Sequence, residues 1–151
     1  MLMGMKAPVY KSECLSPEGV PGFFVDSGAR HFVCQSDTLN EDRVLALGRK
    51  IRHSQSFKPQ GINVNFYQIQ SDNTIEIRTY EKGVERLVLS CSSGSVAVAY
   101  HLSKSCGLMS PIITSSIGGS LKFTFDEDWR EVFCEGPAEL LFSGEFKGGL
   151  V

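Results

Sequence analysis

The stretch EKGVERLVLSCSSGSVAVAY, residues 81–100, decides how the rest of the chain reads. It opens with charge, passes through the strand-like RLVLS (86–90), and after Cys91 carries no charge until Lys104. Ser92-Ser93-Gly94-Ser95 leads into VAVAYHLSK, whose small, uncharged residues point to a helix buried on nearly every side. The spacing predicts that helix over about 93–104, with Gly107 as its C-terminal stop. Cys91 then stands between the end of a strand and the first helical turn. Unpaired N–H groups and the positive end of the helix dipole favour negative charge there, either a thiolate or a bound carboxylate. The serines and Gly94 let a ligand come close to the backbone. A thiolate beside an anion cradle is suited to moving a proton next to a carboxylate. The plainer alternative is a packing cysteine followed by capping serines.

Outward from this helix, strand patterns dominate. On its N-terminal side lie NVNFYQIQ (63–70) and TIEIRTYE (74–81), joined by a turn at Ser71-Asp72-Asn73. In the second, Ile75, Ile77 and Thr79 alternate with Glu76, Arg78 and Tyr80, as for a strand with one wet face. A second, amphipathic helix is predicted from Thr38 to near His53. Thr38 and Glu41 form a capping box, and Val44, Leu47, Gly48 and Ile51 share one side. Pro59 and Gly61 mark the following loop. Before it, FFV and HFVCQ flank the turn-like Asp26-Ser27-Gly28, as two short strands or one bent one. Beyond the central helix come PIITSSI (111–117), a Gly118-Gly119 turn, SLKFTF (120–125), EVFCE (131–135) and AELLFSGEF (138–146). Residues 1–22, rich in proline and glycine, read as a lead-in or linker. Residues 147–151 read as a tail. The fold class is α+β, a mixed, mostly antiparallel sheet wrapped around a central buried helix.

Composition narrows the function. The chain has 151 residues with 15 basic and 17 acidic side chains, a formal net charge of −2, so no basic stripe invites nucleic acid. No apolar run approaches the ~18–20 residues of a membrane helix. The amino end has no basic segment followed by a long apolar core, so a secretory signal is not expected and a cytoplasmic location is. Five cysteines, at 14, 34, 91, 106 and 134, form no C-x-x-C pair, so neither a disulfide framework nor structural zinc is expected. The chain carries no GxxxxGK[ST] loop, no GxGxxG and no G-x-S-x-G elbow.

Several short motifs, in order, resemble the diaminopimelate epimerase family of cofactor-independent amino-acid racemases and epimerases. The family's G-N-P-H segment resembles Gly28-Ala29-Arg30-His31. Its F-P-x-G-x-N-V-N-F segment resembles Phe57 to Phe66, including Pro59, Gly61, Asn63 and Asn65. Its Y-E-R-G-V-E-x-E-T-L-x-C-G-T-G signature resembles Tyr80 to Gly94, and the later G-G and G-P-A signatures resemble Gly118-Gly119 and Gly136-Pro137-Ala138. The likeness runs from about Phe23 to Phe146.

The resemblance implies one lobe, residues 23–146, of a two-lobed enzyme, each lobe a mixed sheet around a central helix with the active site between them. It implies a two-base mechanism without pyridoxal phosphate, metal or other cofactor. One cysteine thiolate removes the α-proton and a second, from the other lobe, returns a proton to the opposite face. Diaminopimelate would pass between its LL and meso forms, on the route to lysine and peptidoglycan precursors. Cys91 is then one acid/base group, and His31 and Glu81 match positions that tune the thiol. Asn63, Glu81, Lys82, Ser92 and Ser93 match substrate-binding positions. Preorganised helix N-termini aimed at the substrate carboxylate would stabilise the developing carbanion, in a cleft closed to water.

The departures fall on those contacts. Ala29 and Arg30 replace an asparagine and a proline, and Ser92 a glycine. Leu87-Val88 replaces the family's E-T pair. Lys82 replaces an arginine, keeping charge but losing the bidentate fork. The family's first half, with its C-G-N-G cysteine motif, is not represented, and Cys14 in SECLSPEG has no such surroundings. A single lobe offers one proton donor and is expected to be inactive or nearly so alone. Two alternatives stand beside the epimerase lobe: a non-catalytic interaction module with a degenerate racemase fold, and a half-length racemase acting as a homodimer on a different amino acid. Among the remaining residues, His53 reads as a helix-end charge, His101 as packed, and Cys34, Cys106 and Cys134 as core or near-core fillers. Trp129 reads as a loop anchor.

Overall fold

The structure is a computed structural model and describes residues 1–145. Two short strands, β1 (Leu2–Gly4) and β2 (Val9–Tyr10), precede β3 (Phe23–Asp26) and β4 (Arg30–Gln35). Helix α1 (Glu41–Arg52) leads to β5 (Asn63–Ser71), β6 (Thr74–Glu81) and β7 (Arg86–Val88). Helix α2 (Ser92–Cys106) is followed by β8 (Ile112–Ser116), β9 (Gly119–Phe125) and β10 (Val132–Glu135). One sheet runs β1-β10-β9-β8-β6-β5-β4-β3-β2, with β7 also beside β6. Its pairings are antiparallel except β4 with β5 and β6 with β8. A parallel pair needs a crossover connection, and α1 and α2 lie in those two connections.

Side-chain alternation divides the core between the two helices. On one side, Val25, Val33, Tyr67, Ile75, Ile77, Ile112, Phe123, Val132 and Cys134 surround Val96–Ala99 and Leu102 of α2. On the other, Phe32, Cys34, Val64, Phe66 and Tyr80 pack with Val44 and Ile51 of α1 and with Phe57. Helix α2 is therefore enclosed by strands from most of the sheet, and α1 covers the outer face. The class is α+β, with the mostly antiparallel sheet wrapped on its central helix, as the uncharged run after Cys91 predicts. Helix α2 ends at Gly107, whose left-handed φ of 71° is the conformation a helix stop requires.

Several local expectations are corrected. Residues 1–22 are not simply a linker, since β1 pairs with β10 and β2 with β3, so this segment supplies both outermost strands. Helix α1 begins three residues later than predicted. Its cap is Asn40, whose side chain accepts from the Arg43 N–H, while Thr38 Oγ1 accepts from Asn40 N–H. Asparagine adjacent to the first turn satisfies an orphan donor better placed than Thr38 can reach. Tyr80 does not face water, because α1 covers that face of β6. Ala138–Glu145 forms no strand, and Leu140, Leu141 and Phe142 are 84%, 82% and 83% exposed. The last residue of that expected strand, Phe146, and the tail 147–151 lie outside the described residues. Cys106 is exposed at the end of α2, not a filler, whereas Cys34 and Cys134 are buried. No helix among the described residues is long and apolar enough to cross a membrane.

Candidate functional site

The inner face of the sheet is apolar toward the C-terminal half of α2 and polar toward its first turn. The same alternation that sends Val33, Tyr67, Ile75 and Ile77 inward also sends in His31, Asn63, Asn65 and Thr79. These four are buried, His31 and Asn65 completely. Buried polar groups need partners, and the start of α2 provides one of them.

Cys91 is the N-cap residue of α2, in extended backbone (φ −149°, ψ 100°), and its carbonyl accepts from Ser95 N–H. Its side chain is part-buried, with Sγ 3.5 Å from Ser93 Oγ. No side chain caps the first turn, so its donors remain turned toward the space beside the thiol. Ser93 Oγ lies 3.0 Å from His31 Nε2, and the Ser93 carbonyl accepts from Ser27 Oγ at 2.7 Å. His31 Nδ1 lies 3.0 Å from Asn65 Nδ2, and Asn65 Oδ1 accepts from Thr79 Oγ1 at 3.0 Å. Burial pushes the His31 imidazole down to about 4, against the opposing effects of the Asn65 bond and the Asp26 charge. His31 is thus neutral at physiological pH.

The structure brings Cys91, Ser93 and His31 together. Asn63 sits alongside, but its amide ties the start of β4 to the turn after β6: Nδ2 donates to the Arg30 carbonyl at 3.0 Å, and Oδ1 accepts from Lys82 N–H at 2.8 Å. It thereby holds the turn after β6 against the strand that carries His31. Glu81, at the end of β6, is part-buried, and the Lys82 side chain is exposed. Ser92 is part-buried at the first position of α2. Asn65, Thr79 and Ser27 were missing from the sequence-based site. The one signal in the sequence is the alternation in NVNF, which puts Asn63 and Asn65 on the same face of a predicted strand. Among the described residues, no three His, Cys, Asp or Glu side chains cluster as metal ligands.

His101 is packed as expected, among Tyr10, Phe23 and Tyr67, with Nδ1 2.8 Å from Tyr10 Oη. Burial pushes it down to about 4. Trp129 anchors its loop, stacked on Phe125 at 3.8 Å, and donates from Nε1 to Ser103 Oγ. His53 caps the end of α1 and pairs with Glu85.

Comparison with known proteins identifies the family and the fold. The family model described as diaminopimelate epimerase matches residues 23–141. The diaminopimelate epimerase of Aquifex aeolicus is 39% identical over 141 residues, covering 91% of this chain and 50% of the relative. That of a Hydrogenobaculum species is 42% identical over 128 residues, covering 82% and 45%. Among solved structures, a hydroxyproline epimerase from Agrobacterium vitis superposes with a TM-score of 0.64 at 16% identity, over 88% of this chain and 47% of that one. That likeness is one of fold. The chain spans about half the length of the curated relatives it matches. Matched from residue 23 to residue 141 by the family's sequence pattern, and 39% identical to a curated relative over 91% of its own length, this chain belongs to the diaminopimelate epimerase family.

Proposed function

We propose that this chain acts as one lobe of a cytoplasmic diaminopimelate epimerase and supplies Cys91 as one of two acid/base groups at the substrate α-carbon. The observation that carries the reading is the position of Cys91 Sγ beside the uncapped first turn of α2, next to Ser93 and the neutral His31. The open N–H groups of Ser92 and Ser93 suit the substrate α-carboxylate. As the α-proton leaves, charge grows toward that carboxylate, and fixed donors stabilise it without reorganisation. Cys91 as thiolate takes the proton from one face. A thiol on a second lobe delivers another to the opposite face, inverting the centre with no net change in protonation of the pair. Glu81 and Lys82, at the rim, suit the ammonium and carboxylate at the far end of a diamino diacid.

The share of the relatives' length that the chain covers supports a partner lobe of similar size. The reaction needs no cofactor, and its product serves lysine and peptidoglycan precursor synthesis. The test combines this chain with the amino-terminal half of the Aquifex aeolicus relative, adds an aziridine analogue of diaminopimelate, and maps the labelled peptide by mass. Label on Cys91, abolished by Cys91→Ala, is expected, as is α-proton exchange in heavy water. Label absent from Cys91 while the two halves associate would overturn the assignment in favour of a non-catalytic module. A defined homodimer that epimerises without the added half would replace it with the self-complementing enzyme.

A further inference from the structure

The hydrogen bonds around His31 have a direction, and Asn65 sets it. The Asn65 side-chain nitrogen lies 3.3 Å from the Phe32 carbonyl oxygen, which only accepts, so that end of the amide must be the NH2. The other end, Oδ1, accepts from Thr79 Oγ1. The second hydrogen on Asn65 Nδ2 therefore points to His31 Nδ1, 3.0 Å away, and that nitrogen must be bare. A neutral imidazole with a bare Nδ1 carries its proton on Nε2, and Nε2–H then donates to Ser93 Oγ at 3.0 Å. Ser93 has one hydroxyl hydrogen. With His31 occupying an acceptor position, that hydrogen is free for Cys91 Sγ, 3.5 Å away.

We propose that Asn65 is a positioning residue for the Cys91 thiolate: by fixing the Nε2–H tautomer of His31 it turns the Ser93 hydroxyl toward the sulfur. The chain Asn65 to His31 to Ser93 to Cys91 delivers one hydrogen-bond donor to a thiolate and withdraws none. Reversing either the Asn65–His31 or the His31–Ser93 link would make Ser93 donate to His31 and leave the sulfur with no side-chain donor. Thr79 supports Asn65, and Gly94 makes room for it, since a Cβ there would overlap Asn65 Oδ1. Burial holds His31 neutral through the physiological range, so the direction does not change there. The geometry stands without the epimerase reading, while its use in proton transfer rests on it.

The first test needs no variant. Long-range 15N–1H correlation spectra of the 151-residue chain at pH 7 should report His31 as the Nε2–H tautomer. An Nδ1–H pattern would overturn the proposal whatever the enzyme does. In Asn65→Asp a carboxylate can only accept from Nδ1–H, so the tautomer should invert. Iodoacetamide modification of Cys91, followed against exposed Cys14 and Cys106 as internal standards, should then slow by about threefold or more. Loss of the Ser93 donor removes a charge-assisted bond from the sulfur, and the higher intrinsic nucleophilicity of the freed sulfur restores part of the rate. Should Asn65→Asp not fold, Ser93→Ala carries the same expectation, and Ser93→Thr, which keeps the hydroxyl, should react as the parent does. In the double variant Asn65→Asp/Ser93→Ala the losses should not add, since both act through one hydroxyl. Additive losses, or equal rates in Ser93→Ala and Ser93→Thr, would overturn the relay. Recombined halves that fail to label Cys91 with the aziridine while the tautomer is Nε2–H would count against the proposed function and leave the relay standing.

Discussion

Gly94 and Asn65 touch where the first turn of α2 crosses β5. A Cβ built on Gly94 would overlap Asn65 Oδ1 and lie 3.3 Å from Cys91 Sγ. The missing side chain is what lets a buried amide on the sheet and a thiol at the helix mouth occupy neighbouring positions. Helix propensity alone would favour alanine at 94 by about 1 kcal/mol. Packing opposes it, because the Asn65 amide is held by Phe32, His31 and Thr79 and has nowhere to move. Gly94→Ala should therefore destabilise the fold by about 1–3 kcal/mol in urea titrations, against its propensity. A variant as stable as the parent, or more so, would contradict the contact.

The outer layer has a comparable close approach. A Cβ on Gly48 of α1 would lie 2.7 Å from Tyr80 Cβ, close to backbone and unable to swing aside. Gly48→Ala should lower stability by about 1–3 kcal/mol. Gly83→Ala serves as a comparison, since its Cβ would meet open space and only the φ of 90° is unfavourable. The expected order of urea midpoints is parent, Gly83→Ala, Gly48→Ala.

Two buried histidines make stability depend on pH. His31 and His101 are both pushed down to about 4 by burial, from an unfolded value near 6.5. Above about pH 6.5 both rings are neutral in folded and unfolded chains and contribute no slope. Between about pH 6.5 and 4 the unfolded chain binds protons that the folded chain refuses, so stability falls as pH falls. Below about pH 4 the folded chain protonates too and the loss levels off. His101→Phe forfeits the contact with Tyr10 but should flatten the slope of urea midpoint against pH between 7 and 4.5. The carboxylates are common to both proteins, so an unchanged slope would show that His101 is not held neutral.

Thiol chemistry should separate the five cysteines. Cys34 and Cys134 are buried, and burial pushes both thiols up. Cys14 and Cys106 are exposed and Cys91 is part-exposed. Iodoacetamide at pH 8 should modify Cys14, Cys91 and Cys106 in the folded chain, and Cys34 and Cys134 only after denaturation. Peptide mass mapping checks this, and early modification of Cys34 would contradict the packing of β4 under α1.

Much of the fold was legible because local patterns decide it. The uncharged run after Cys91 can be stable only as an enclosed helix, and Gly107 supplies the left-handed stop. The alternation of Ile75, Ile77 and Thr79 names the inner face of β6. Tyr80 was misread because alternation says which side a residue faces and not whether another element covers that side. Helix α1 was placed correctly along its length but not at its cap, since Thr38 and Asn40 are both acceptable caps and only the backbone path selects Asn40. The edge strands Leu2–Gly4 and Val9–Tyr10 are too short to signal themselves. They exist because the free edges at β10 and β3 present hydrogen-bonding groups that a nearby segment satisfies.

The amino-acid order by itself determined the central helix, the strands from β3 to β10 and the place of Cys91 at the helix mouth, because periodicity and chain connectivity are local properties. Tertiary structure alone decided what surrounds that sulfur. His31 and Ser93 are 62 positions apart, and Asn65 and Thr79 come from two other strands. Buried polar groups must find partners, and only the parallel pairing of β4 with β5 beneath α2 determines which partners those are.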